Sequence, residues 1–294
     1  TGTSANFSQN ITVNLTRGNV INATCWASDA AGNVAQNSTL ITVLNTNATQ
    51  LGLTIVFPTN DLKTNQQPLP LNVTFAADPD GDVINISYYI NGRLNQTSFV
   101  NTTLNASDGV YILNVSLHDN VTPLTYSANV TVNFTIDTTR PVVNTTFNIT
   151  SPTNRDFLNF TGNVTDNINL LSANWTYNIS GSITKINYTL SGTSAQVSNT
   201  TNLLGLPGGS VINFTLYATD TSNNVKQNST LLTITDATTP IVNTTFNITS
   251  PLFNSVINFS GNITDETGLS TANITYNMSG AVTYANYTIS GTRV

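Results

Sequence analysis

The sequence predicts an all-β chain built from tandem antiparallel β-sandwiches, and three observations carry that expectation. Apolar and polar residues alternate through most of the chain, as in Asn129-Val130-Thr131-Val132-Asn133-Phe134-Thr135, and a period of two marks a half-buried strand. No stretch of about ten residues or more repeats its apolar positions at helical spacing. A segment also recurs at an interval of 99 residues, because residues 137–152 read DTTRPVVNTTFNITSP and residues 236–251 read DATTPIVNTTFNITSP. A unit of that length suits one seven-strand sandwich.

The alternation is organised around one triplet. Asn-x-Ser/Thr occurs 32 times among 45 asparagines, whereas chance pairing at these frequencies gives about 12. In Asn10-Ile11-Thr12, Asn72-Val73-Thr74, Asn159-Phe160-Thr161 and Asn174-Trp175-Thr176 the middle residue is apolar. On a strand, the Asn and its hydroxyl then share the solvent face while the residue between them enters the core. Asn is a poor strand former. Its repeated use at a cost in propensity points to selection for N-glycosylation, a modification of chains that work outside the cell. The expected location is extracellular or on the cell surface.

The elements follow in order. Residues 1–46 are expected to hold the last three strands of a sandwich, with acceptors at Asn6, Asn10 and Asn14, then Asn22, then Asn37, and Asn47 just beyond. Residues 51–136 hold a divergent sandwich with strands near 51–57, 69–77, 83–90, 97–104, 109–118 and 125–136. Its acceptors are Asn72, Asn85, Asn95, Asn101, Asn105, Asn114, Asn120, Asn129 and Asn133. Residues 137–235 form one complete sandwich carrying Asn144, Asn148, Asn159, Asn163, Asn174, Asn178, Asn187, Asn199, Asn213 and Asn228. Residues 236–294 supply the first four strands of another, with Asn243, Asn247, Asn258, Asn262, Asn273, Asn277 and Asn286.

The assignment of the two outer segments rests on the repeat. Asn159-Phe160-Thr161-Gly162-Asn163 matches Asn258-Phe259-Ser260-Gly261-Asn262, and Ser191-Gly192-Thr193 matches Ser290-Gly291-Thr292. At the other end, Thr1-Gly2-Thr3-Ser4-Ala5 matches Ser191-Gly192-Thr193-Ser194-Ala195. Asn22-Ala23-Thr24-Cys25-Trp26-Ala27 matches Asn213-Phe214-Thr215-Leu216-Tyr217-Ala218, and Gln36-Asn37-Ser38 matches Gln227-Asn228-Ser229. Half a sandwich leaves open edges and an unfilled core, which invites association. Two readings follow. Either the halves of successive copies complete one another head to tail, a contact that propagates into a filament, or the chain is a window on a longer tandem array.

Composition narrows the partners. Only 7% of residues are charged, against about 25% in ordinary soluble proteins, so glycans are expected to supply the solubility that charge normally gives. The net charge of −6 includes no basic run, which argues against a nucleic-acid partner. No run of about 18 apolar residues is present, so no membrane span is expected in this chain. The chain opens on Thr1 without a start methionine, as a processed product or a fragment does. Cys25 is the single cysteine. It excludes an internal disulfide and reads as a small buried hydrophobe, with pairing to another chain as the lesser reading.

Chemistry is sparse. Asp78, Asp80 and Asp82 place three carboxylates in five residues, a weak Ca²⁺ candidate that lacks the twelve-residue calcium loop and reads equally as a turn. His118 is the sole histidine and is expected at a solvated turn beside Asp119. Glu266 is the sole glutamate, and no nucleophile elbow accompanies the serines. No catalytic residue, cofactor site or enzyme activity is expected, and covalent N-glycans are the only added groups. Trp26, Trp175 and Tyr217 stand at alternating strand positions, which predicts core packing.

Several phrases resemble the immunoglobulin-like repeats of archaeal cell-surface glycoproteins. These are Asn159 to Asp166 on the second strand, Asn22 to Asn33 on the sixth, and the joint Asp137-Thr138-Thr139-Arg140-Pro141. The resemblance implies a surface stalk, appendage or coat protein. It also implies a cysteine on both strands, but Gly162 and Gly261 hold the second-strand positions, so Cys25 lacks that partner. The expected function is therefore a structural subunit of a heavily N-glycosylated filament or stalk, partnered by copies of itself. The alternative is an adhesin whose middle domain, with Arg93 and the acidic turn, binds a surface ligand.

Overall fold

The computed structural model describes residues 4–46, 51–119, 127–179 and 181–292. Among them the chain is all-β, with twenty-one strands and no helix, in two units, residues 1–138 and 139–294.

The first unit begins with an antiparallel hairpin of β1 (Val20–Ser28) and β2 (Val34–Thr42). A sandwich follows. One of its sheets orders β3 (Thr54–Phe57), β5 (Leu69–Thr74) and β8 (Thr102–Leu104). The other orders β4 (Leu62–Thr64), β10 (Ser127–Ile136), β9 (Gly109–Asp119), β6 (Ile84–Ile90) and β7 (Arg93–Ser98). Leu69, Leu71, Tyr88, Leu113, Val115 and Leu117 are fully buried between them. The alternation in β10 is as the triplets predict. Phe134 is buried and Val130 and Val132 pack partly on the core, while Asn129, Thr131 and Asn133 are exposed. Asn91 and Gly92 join β6 to β7 with positive φ at both, the geometry a two-residue hairpin turn requires.

Two features of this sandwich differ from the sequence expectation. The strand expected at 97–104 is two strands, because β7 and β8 belong to different sheets and the chain crosses between them at Phe99–Asn101. The crossing leaves Phe99 and Val100 exposed, although their composition suits a strand. The short β4 was not expected either. Three residues are too few to show alternation, and β4 is held by parallel pairing to β10.

The second unit contains a complete immunoglobulin-like sandwich. A three-stranded sheet orders β11 (Val142–Phe147), β12 (Phe157–Thr165) and β15 (Ser194–Asn202). It faces a four-stranded sheet of β14 (Ser182–Thr189), β13 (Leu170–Ile179), β16 (Val211–Asp220) and β17 (Val225–Thr233). Trp175 is wholly buried at the centre, and the Phe160 ring meets its edge with centroids 5.0 Å apart. Phe214 lies 5.0 Å from Phe160 and 5.4 Å from Phe147, contacts that add specificity to the apolar burial. Gly162 on β12 is required by close packing. A Cβ there would lie 2.1 Å from Leu216 Cδ2.

Two open pairs complete the unit: β18 (Ile241–Phe246) with β19 (Phe259–Thr264), and β20 (Thr271–Met278) with β21 (Ala281–Thr288). They reproduce the β11–β12 and β13–β14 pairings residue for residue, with Asn243 opposite Asn262 as Asn144 is opposite Asn163.

The leading segment departs from expectation. Of its three expected strands, only β1 and β2 form, and residues 4–16 carry no strand. Their counterpart β15 is held by β12, and the repeat places the copy of β12 in β19. Cys25 is exposed, not buried, because among the described residues no second sheet faces β1. Trp26 and Tyr217 are also exposed, at 64% and 38%, whereas Trp175 is the core residue expected. Tyr217 follows the inward-facing Leu216, so the alternation itself turns it outward. His118 is half-buried near the end of β9 and not in a turn, opposite Ser127 on β10 and Asn85 on β6.

Candidate functional site

The most prominent candidate surface is the pair of open sheet faces. In the second unit, a groove of about 630 Å³ lies between the β18–β19 and β20–β21 pairs, lined among others by Phe246, Phe259, Ile274, Tyr276, Met278 and Tyr287. Through the repeat, the first four correspond to Phe147, Phe160, Trp175 and Tyr177. In the complete sandwich Phe147, Phe160 and Tyr177 pack around Phe214, which stacks 5.1 Å from Tyr177, while Trp175 stands opposite Leu216 on the same strand as Phe214. Strand β16 therefore fills the space that is open here. In the first unit, β1 and β2 are the copies of β16 and β17, and their side chains are exposed throughout except for the half-buried Ile21. Val20, Leu40 and Ile41 are among the exposed apolar groups. In residues 4–16, Phe7, Ile11, Val13 and Leu15 alternate and are all exposed.

The loop after β1 is already in the form that the complete sandwich has. Asp220 accepts the backbone N–H of Ser222 and Asn224 and the side-chain amide of Asn224. Asp29 accepts the N–H of Ala31 and Asn33 and the Asn33 amide in the same pattern. These donors, the Asn33 amide first, hold the Asp29 carboxyl below its ordinary value.

Each open segment is seated on its own unit by a polar joint. The Asn154 side chain, fully buried, donates to Asp236 at 3.1 Å and to Glu266 at 2.8 Å, and accepts the Ala237 N–H. In the first unit, the Arg17 and Thr46 N–H groups donate to the two oxygens of Asp80 at 2.7 and 2.6 Å. The Arg17 guanidinium pairs with Asp82 at 3.2 Å, and Asn45 donates to the buried Asp119 at 3.0 Å.

The acidic turn is thus part of a joint. Asp78, Asp80 and Asp82 bring carboxylate oxygens within 4.8 Å of one another, and Arg17 already supplies a positive charge there. The Thr46 N–H, then the Arg17 N–H, holds the Asp80 carboxyl below its ordinary 3.8. A carboxyl depressed by folding contributes stability above its unfolded value and loses it as pH falls through the folded one. Protection of the Thr46 amide in hydrogen exchange is therefore expected to persist at pH 5 and to fall away below 3.8. The Asp80→Asn variant should show weak protection at both pH values. Unchanged Thr46 protection through that acid range would contradict the joint.

The sequons form the second candidate surface. Asn47 and Asn120 lie outside the described residues. None of the other acceptor asparagines is buried; Asn72, Asn85, Asn114, Asn174, Asn199 and Asn228 are half-buried and the rest exposed. Several hydroxyl partners are less open. Ser87, Ser116, Thr135 and Thr215 are buried, and the Asn228 amide is aimed at Val143 O and Thr145 Oγ1. Four pairs of acceptors face each other across a ladder: Asn144 with Asn163, Asn174 with Asn187, Asn243 with Asn262, and Asn273 with Asn286. Sequence reasoning missed this pairing, because it depends on strand register. Opposed residues stand about 5 Å apart at Cβ, so sugars on such a pair would leave the sheet side by side.

No protein-family model matches the chain, and no curated protein matches it. Among solved structures, it is similar to a tetra-tandem repeat in the extending region of a large adhesion protein, with 20% identity and a TM-score of 0.41. That match covers 93% of this chain and 71% of the other. It is also similar to the fibronectin(III)-like modules of CbhA from Clostridium thermocellum, with 13% identity, a TM-score of 0.32, and 63% and 95% coverage. The α2-macroglobulin of Escherichia coli matches at 10% identity and a TM-score of 0.30, over 91% of this chain and 31% of that one. No helix among the described residues is long and apolar enough to cross a membrane.

Proposed function

We propose that this protein is a structural subunit of a heavily N-glycosylated extracellular filament or surface stalk, joined head to tail by completion of half-sandwiches. One observation carries the reading. The open faces of the two units carry the core positions of one and the same sandwich: β18–β21 copy its first four strands, and residues 4–42 copy the rest. A sandwich closed between copies joins subunits by main-chain ladders and a shared core. The contact is heterologous, so it extends into a line. The dense Asn-x-Ser/Thr surface supports a setting outside the cell, where sugars shield strand edges that so few charges would leave exposed. Archaeal origin is proposed on the sequence resemblance alone.

Sedimentation velocity over a range of concentrations tests the reading. A ladder of species growing from the 31.4 kDa chain is expected. A single monomeric species at every concentration would overturn it.

A further inference from the structure

We propose that the joint between copies adopts the register of the complete sandwich, seating Cys25 of one copy in the notch at Gly261 of the next. This rests on the head-to-tail reading and adds to it a specific partner surface and alignment.

The key residue is Gly261. It lies within strand β19, where glycine weakens pairing and usually marks a close backbone approach. Nothing among the described residues of the free chain explains it. Its φ is not among the positive ones, and a Cβ added there meets no atom within 4 Å. Its copy Gly162 shows what it is for, because there a Cβ would meet Leu216 Cδ2 at 2.1 Å and Val197 Cγ2 at 3.3 Å. Through the repeat, Leu216 corresponds to Cys25 and Val197 to Phe7. Both counterparts lie in the exposed leading segment of the first unit: Phe7, bulkier than Val197, needs the room above Gly261, and Cys25, without the δ carbons of Leu216, sits beside it at contact distance.

The complete sandwich supplies the register. Trp175 stands opposite Leu216, Tyr177 opposite Phe214, and Ala173 opposite Ala218. The copies place Ile274 opposite Cys25, Tyr276 opposite Ala23, and Ala272 opposite Ala27. On the other sheet, Gly162 pairs with Val197 and Val164 with Ala195, so Gly261 pairs with Phe7 and Ile263 with Ala5. This pairing makes a strand of residues that carry none in the free chain, and β1 enters the groove lined by Phe246, Phe259 and Tyr276. The occupant is a second copy of this chain, because its leading segment carries the counterparts of β15, β16 and β17, the strands that fill this place in the complete sandwich. The loop at Asp29, already hydrogen-bonded like that at Asp220, needs no rearrangement to enter.

Cys25 then reports directly on the joint. It is exposed in the free chain and becomes a core residue on joining. The geometry also allows a covalent readout. A Cβ at Gly162 lies 3.5 Å from Leu216 Cγ, the place of the Cys25 sulfur in the joint, and a disulfide brings one Cβ to about 3 Å from the opposite sulfur, so a closure of about half an ångström forms the bond.

The experiment uses the full chain as Gly261→Cys, with Asn262→Cys as the control one residue away on the opposite face. Copper–phenanthroline in air is the oxidant: each thiol pair gives two electrons through copper to dioxygen and releases its two protons to the buffer. Alkylation of Cys25 in the unsubstituted chain is followed in parallel. A reducible ladder of covalent multimers from Gly261→Cys but not from Asn262→Cys is expected, with Cys25 alkylation slowing as concentration rises. Multimers by sedimentation with no preference for position 261, or with Cys25 still reactive, would overturn the register while leaving head-to-tail joining in place. A chain that stays monomeric, with Cys25 reactive and only intrachain disulfide formed, would remove both.

Discussion

Trp175→Ala is expected to cost the complete sandwich about 3–5 kcal/mol, the range for truncating a fully buried large aromatic. The side chain has no exposed surface, lies 5.0 Å from the Phe160 ring and 6.5 Å from Phe147, and packs within a core that extends from Val143 to Ile234. Few neighbours can relax into so large a void, because β13 is laddered on both sides, to β14 and to β16. Denaturant unfolding followed by far-ultraviolet circular dichroism checks this. The transition of this sandwich should move to much lower denaturant, and a shift worth less than about 1 kcal/mol would mean that the core is not built around Trp175. The same truncation at its copy, Ile274→Ala, should leave the free chain nearly unchanged, because Ile274 is only half-buried on an open face. Its effect should appear in joining instead.

The second large effect concerns the sugars. The 294-residue chain made in an N-glycosylating host is expected to have a heterogeneous mass well above the 31.4 kDa of its polypeptide, returning close to it on chemical deglycosylation. The stripped chain should also lose solubility, since charged residues make up only 7% of it and exposed apolar groups such as Phe253, Leu252 and Val256 are left unshielded. Intact-mass spectrometry before and after treatment settles the first point, and turbidity against concentration the second. A mass of 31.4 kDa for that chain before treatment would remove the glycan coat from the account. Mapping by glycopeptide would then show whether facing acceptors such as Asn174 and Asn187 are filled together.

Much of the fold was legible because a single periodicity served both purposes. Asn-x-Ser/Thr on a strand turns two residues out and one in, so Val73, Phe160 and Trp175 were placed in the core by the same triplets that form candidate acceptor sites, and all three are buried. The repeat likewise anticipated the four strands β18–β21. What escaped was whatever depends on a partner element. Alternation cannot reveal that β7 and β8 belong to different sheets, nor that residues 4–16 remain without a ladder when the strand they would pair with is elsewhere. Cys25 was assigned to a core from its type and neighbours, and its exposure follows from a missing sheet that no local pattern reports. Tyr217 could have been placed correctly by counting one residue on from Leu216. The role of Asp80 and Asp82 in seating Arg17 required contacts across more than sixty positions, which a single sequence does not display.

The central claim is that the open halves of successive copies close one sandwich. Imaging native material by electron microscopy tests it most directly. The account predicts continuous fibres in which each subunit contributes two complete sandwiches and shares a third with its neighbour, so that every bead along the axis is whole. Isolated particles with an unclosed half-sandwich at each end, at concentrations where the native material is abundant, would contradict it.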